Sequence, residues 1–132
     1  MKTILVDAVY CFIIEKGEGN FEVFKSMFDL LETYSNKKII LTSASDDKRE
    51  LFGLDNMPYE VFTLKHNPEK NDPEYYKTLL SKFELNKDEV VYFEHNLEAV
   101  KSAQSVGINS YYYDNDKKDL ESLKNFLDRN LK

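Results

Sequence analysis

The sequence predicts an α/β domain of three layers, with helices on both faces of a five-stranded parallel sheet. Short apolar runs that read as buried strands alternate with segments of helical periodicity, five times along 132 residues. Such alternation is the pattern of parallel strands joined by crossover helices. Polar and charged residues also collect just after the strands, where an open parallel sheet holds its ligand crevice.

Ile4-Leu5-Val6 is wholly apolar and ends at Asp7, as a strand buried on both faces does. After a break around Gly17 and Gly19, Phe21, Phe24, Phe28 and Leu31 recur at helical spacing, widened by Met27 and Leu30. Asn36-Lys37 ends that predicted helix. Lys38 to Thr42 is the second strand. Ser45 or Asp46 caps a short helix through Leu51 and Phe52, closed by Gly53. Tyr59 to Thr63 alternates and reads as the third strand. Asp72-Pro73-Glu74 is a helix start, with Asp as N-cap and Pro at the first helical position. Tyr76, Leu79, Leu80 and Phe83 form that helix's stripe. Glu89 to Phe93 is the fourth strand. Asn96 caps a helix carrying Ala99, Val100 and Ala103, with Gly107 at its end. Ile108 to Tyr113 is the fifth strand, and Leu120, Leu123, Phe126, Leu127 and Leu131 mark a final amphipathic helix.

The length fits one domain spanning 1–132, and no repeat, low-complexity stretch or linker divides it. A hydrophobic content of 42%, with nine Phe and nine Tyr, is that of a chain with a core. One cysteine excludes a disulfide framework and a Cys-rich zinc site. The net charge of −6 disfavours nonspecific binding to nucleic acid or to an anionic membrane. No run approaches the ~20 apolar residues of a membrane span. The apolar stretch from Thr3 to Ile14 is interrupted by Asp7, and no small-residue cleavage site follows it. A cytoplasmic protein is the expectation.

The strand ends deliver Asp7, then Thr42 and Ser43, then Lys65, His66 and Lys70, then Glu94, His95 and Asn96, then Asp114 and Asp116. Strand ends meet water, which accounts for most of these. It accounts less well for Asp7, which has apolar neighbours on both sides and so needs a buried partner. Lys70 is the natural one. A carboxylate, a hydroxyl and a lysine at one rim support phosphoryl chemistry: the carboxylate attacks phosphorus, the others hold its oxygens, and a divalent metal screens the repulsion. Cys11 with His66 or His95 is an alternative thiol site, although lone cysteines are more often buried and inert. His66 and His95 with Glu94 or Asp7 form an alternative zinc-type ligand set. Tyr111 to Tyr113 could stack bases, but alternate residues of a strand face opposite sides, so covering the helices is the simpler role.

In these motifs the chain resembles the haloacid dehalogenase (HAD) superfamily. The stretches that carry the resemblance are Ile4-Leu5-Val6-Asp7, Ile39 to Ser43, Lys70-Asn71-Asp72-Pro73-Glu74, and Tyr92 to Val100 followed by Ala103 and Gly107-Ile108. The resemblance implies a Rossmann-like HAD core with Asp7 as the nucleophile that forms an aspartyl-phosphate. It implies Thr42 and Ser43 on the phosphoryl oxygens and Lys70, or in its place Lys65, neutralising nucleophile and phosphate. It also implies Mg²⁺ as cofactor, with Asp7, Glu94 and His95 at the metal-binding positions.

Three departures bear on activity. Family phosphatases carry a second Asp two residues after the nucleophile, to protonate the leaving group. Here Val9 stands there, and losing general acid–base help costs about 10²–10⁴-fold. His95 replaces the carboxylate that usually binds magnesium, a metal that prefers oxygen ligands. The segments after the first and third strands are too short for a cap, which predicts a capless, open site. The expectation is a degenerate HAD-like domain with little or no phosphatase turnover and with Mg²⁺ binding weakened or lost, acting on a phosphorylated ligand or a protein partner. The alternative is an active Mg²⁺-dependent phosphohydrolase using Asp7.

Overall fold

β1 (Thr3–Asp7), β4 (Lys38–Thr42) and β6 (Val90–Glu94) are buried along their whole length, as near-continuous apolar runs at the centre of a parallel sheet must be. The protein, described over residues 1–131 by a computed structural model, builds around them a five-stranded sheet in the order β5-β4-β1-β6-β7, every pair parallel. β5 (Glu60–Thr63) and β7 (Asn109–Tyr112) form its half-exposed edges. The expected sheet is therefore present. Nothing resembling a cap interrupts the described residues between β1 and β4 or between β5 and β6.

Successive side chains of each strand point to opposite faces. Ile4, Val6, Ile40, Val91 and Phe93 pack into one core layer, with Leu123, Phe126 and Leu127 of α5 (Leu120–Asn130) and Met27 and Leu31 of α1 (Lys25–Leu31). Leu5, Ile39, Leu41, Val90 and Tyr92 pack into the other, against Tyr75, Tyr76 and Leu79 of α3 (Pro73–Lys82) and Ala103 of α4 (Leu97–Ser105). This alternation positions the site. Asp7 follows Leu5 by two residues and Glu94 follows Tyr92 by two, so both carboxylates continue the α3–α4 face. Val6 pairs with Phe93, which puts the two acids beside each other at the ends of neighbouring strands.

Helix signals in the sequence hold where a side chain caps the backbone. Asp72 Oδ1 accepts from the Glu74 amide at 2.9 Å, with Pro73 in the first turn. Asn96 Oδ1 accepts from the amides of Glu98 and Ala99. Gly107 follows α4 at φ 89°, a conformation other residues adopt only at a cost. The short helix after β4 is a 3₁₀ turn at Asp46–Lys48 running into α2 (Arg49–Phe52).

The expected helix from Phe21 is corrected. Phe21–Val23 is β3, paired antiparallel with β2 (Ile13–Glu15) in a separate hairpin, and α1 begins only at Lys25. Phe21 and Phe24 look helical in spacing, but Phe21 turns inward from the hairpin to meet Phe52 edge-on at 4.8 Å between ring centres. Gly17 at φ 76° supplies the turn. The connection between the first two predicted strands thus holds a hairpin as well as a helix.

Candidate active site

Four ionisable side chains converge where β1 and β6 end. Asp7 and Glu94 are almost wholly buried, at 1% and 0% exposure. Lys70 reaches them from the loop before α3, and its Nζ lies 2.5 Å from Asp7 Oδ1 and 2.7 Å from Glu94 Oε1. His95 closes the other side. Its Nδ1 is hydrogen-bonded to Asp7 Oδ2 and lies 3.1 Å from Glu94 Oε2. Each cation therefore bridges both carboxylates, and the four groups form a ring of alternating charge.

Further donors reach the same two carboxylates. Asp7 Oδ2 accepts from the His95 amide and from the Cys11 thiol, both at 3.2 Å. Glu94 Oε1 accepts from the Tyr92 hydroxyl, and Oε2 from the Asn96 amide at 3.0 Å. A carboxylate offers about four lone-pair sites. Asp7 faces four donors, three of them on Oδ2, and Glu94 accepts from three, with His95 Nδ1 beside its Oε2.

The electrostatics follow from this packing. Burial alone would push the Asp7 carboxyl up. The Lys70 ammonium and the hydrogen bond from His95 outweigh burial and hold it well below the usual carboxylate range. Burial would lower Lys70, but the Asp7 and Glu94 charges keep its ammonium well above the ordinary lysine value. Burial likewise opposes the charged form of His95, yet its bonds to Asp7 and Glu94 raise it to about 9, so it is an imidazolium at neutral pH. Burial first, then the neighbouring acids, push the Cys11 thiol up. A protonated, hydrogen-bond-donating thiol is neither a nucleophile nor a metal ligand. Asp7, Cys11 and His95 do lie close enough to share an ion. In the arrangement as it stands, the Cys11 thiol donates to Asp7 Oδ2 and His95 Nδ1 is bonded to the same oxygen.

Magnesium is the metal the family resemblance implies. It requires hard oxygen ligands in near-octahedral array. The Asp7 and Glu94 oxygens that face each other across His95 are already bridged by Nδ1. A divalent ion at that point would meet the imidazole before the carboxylates.

The hydroxyls flank this ring. Thr42 ends β4, is buried, and accepts from the Ala44 amide at 3.1 Å, which leaves its own proton to donate. Tyr75 fixes the backbone there by donating to the Thr42 carbonyl at 2.7 Å. Ser43 Oγ accepts from the Lys70 amide at 3.2 Å and so ties the lysine loop to β4. A cleft of about 310 Å³ opens over Asp7, Thr42, Ser43 and Lys70, with Val9 and Phe52 in its wall. Val9 thus stands beside Asp7 with no proton to give.

Lys70, and not Lys65, meets Asp7. Lys65 is exposed and pairs with Asp46 at 3.0 Å. His66 borders the same cleft but its Nδ1 is bonded to Glu69 at 2.7 Å, apart from the ring. Two participants were not singled out in the sequence. Tyr92 reads there as a core residue, and its hydroxyl ends on Glu94 because the two are two apart on one strand face. Tyr10, left-handed at φ 73°, sets its ring edge-on to His95 at 5.5 Å.

No protein-family model and no curated protein sequence matches the chain. Solved structures do. A HAD family enzyme of Bacteroides thetaiotaomicron, crystallised as an aspartate-to-alanine mutant with magnesium and inorganic phosphate, is similar at TM-score 0.67 and 12% identity, over 85% of this chain and 93% of that one. A protein of Corynebacterium glutamicum is similar at 0.66 and 15%, over 97% and 96%. The D,D-heptose 1,7-bisphosphate phosphatase of B. bronchiseptica, complexed with magnesium and phosphate, is similar at 0.63 and 15%, over 92% and 87%. By its fold, then, this chain is similar to solved structures of haloacid dehalogenase-family enzymes.

Proposed function

We propose that the chain is a HAD-like domain with little or no phosphatase turnover, acting by binding a phosphoryl-bearing ligand or a protein partner at the rim of the sheet. The observation that carries this reading is the state of Asp7. Lys70 holds its Oδ1, three donors crowd its Oδ2, its carboxyl is held far below the normal range, and Val9 occupies the position of the proton donor. A strongly stabilised carboxylate is a poor nucleophile, and a leaving group beside Val9 departs unprotonated. Thr42, Ser43 and Lys70 remain as a hydroxyl-and-cation wall able to hold an oxyanion.

The test is restoration. The double variant Val9→Asp, His95→Asp is expected to show Mg²⁺-dependent hydrolysis of an aryl phosphate, at least 10²-fold above the native protein. Equal rates in both would remove the reading that the site follows the phosphatase plan.

The second reading is an active hydrolase. It draws support from His95, an imidazolium at neutral pH that borders the cleft and carries a proton a leaving group could take. On that reading Asp7→Asn abolishes a measurable native turnover.

A further inference from the structure

We infer that the imidazole of His95 takes the place a divalent metal would occupy, its Nδ1 set between Asp7 and Glu94, so that the site is closed without metal. The inference rests on the HAD-like reading of the strand ends and concerns what holds the two acids together.

Two buried carboxylates at the ends of adjacent strands repel each other and need positive charge between them. Lys70 supplies one charge, to Asp7 Oδ1 and Glu94 Oε1. The opposite pair, Asp7 Oδ2 and Glu94 Oε2, is the pair a second cation would bridge. His95 Nδ1 is in contact with both of these oxygens. A divalent ion placed between these two oxygens would have to displace Nδ1.

The position is also built to hold the imidazole. The His95 amide donates to Asp7 Oδ2 at 3.2 Å, which fixes the backbone from which the ring projects. Tyr10 packs edge-on against the ring from the hairpin side. The Asn96 amide donates to Glu94 Oε2 and starts α4, so the turn between β6 and α4 is tied to the same oxygen that faces His95. The side chain is 25% exposed, so solvent reaches the imidazole but not the acids beneath it.

The experiment is a titration of Mg²⁺ into chelator-treated protein, followed by calorimetry and by thermal unfolding. The native chain is expected to give no binding heat and no change in Tm. His95→Asp, which exchanges the cation for a third carboxylate, is expected to gain a Mg²⁺-dependent rise in Tm of roughly 3–8 °C. His95→Asn, which removes the charge but keeps a polar side chain, is expected to gain a smaller rise.

Mg²⁺ binding by the native protein, lost in Asp7→Asn, would overturn the inference whatever the variants do. So would absence of any gain in folded variants. The outcome is separable from the proposed lack of turnover. Metal-free phosphatase activity in the native protein would end that reading and leave His95 in its place.

Discussion

The imidazole Nδ1 of His95 is hydrogen-bonded to Oδ2 of Asp7, from a residue 88 positions further along the chain. The contact exists because β1 and β6 are neighbours and register Val6 with Phe93, so that the residues just beyond meet at the rim. It changes the character of the site. A carboxylate paired on both oxygens is a structural charge before it is a reagent.

Stability is expected to fall as pH rises through the alkaline range. The folded His95 value, about 9, lies above the ordinary 6.5. Its contribution is therefore fully present below about 6.5 and is lost as pH climbs through 9. The partly exposed ring limits that contribution to about 1–3 kcal/mol. Unfolding of the native protein and of His95→Asn, compared across that window, checks it; parallel profiles would contradict it. Asp7, being depressed, contributes in the opposite sense. Its stabilisation is present above the ordinary carboxylate value and disappears only in strong acid.

Lys70→Met is expected to destabilise by about 3–5 kcal/mol, because it leaves two buried carboxylates with one cation. Urea unfolding measures this. The same substitution made in Asp7→Asn should cost distinctly less, since the charge it strands is gone. Equal costs in the two backgrounds would mean that the pair is not coupled.

Tyr92→Phe removes one donor from Glu94 Oε1 while keeping the ring that packs between Tyr76 and the sheet. The expected loss is about 1.5–3 kcal/mol, the range for a hydrogen bond to a charged group. Tyr76→Phe removes only a 3.4 Å contact between hydroxyls and should cost less. The two denaturation midpoints decide the order.

Gly107→Ala tests the turn after α4. The backbone there is left-handed, and a Cβ would come within 2.6 Å of Lys87 Cδ. Lys87 is a flexible surface side chain and can move aside, so the conformational penalty, about 1 kcal/mol, is the expected cost. A stabilising effect would contradict the assignment of that turn.

The sheet was legible because β1, β4 and β6 are short apolar runs with no competing helical pattern, and α3 and α4 announce themselves through Asp72-Pro73 and Asn96. The hairpin was not. Phe21, Phe24 and Phe28 satisfy helical spacing by coincidence, since Phe21 faces inward from a strand and Phe28 from a helix. The signal that would have found it is the apolar Phe12-Ile13-Ile14 before a Gly-rich turn. At the site, the strand-end rule brought Asp7, Thr42, Ser43, Lys70, Glu94 and His95 to one rim. It could not choose Lys70 over Lys65, because that choice depends on the path of the loop after β5. Nor could it show the ring itself. Which oxygen each cation meets is set by side-chain direction and by amide donors such as His95 and Asn96, and neither is written in residue identity.

The most direct measurement is thermal unfolding of the native protein with Mg²⁺ and beryllium fluoride together, a pair that mimics a phosphoryl group on a metal-assisted aspartate. With Asp7 held by Lys70, His95 and Cys11, no shift in Tm is expected. A rise that needs both components and vanishes in Asp7→Asn would show a working aspartyl-phosphate site and contradict the account.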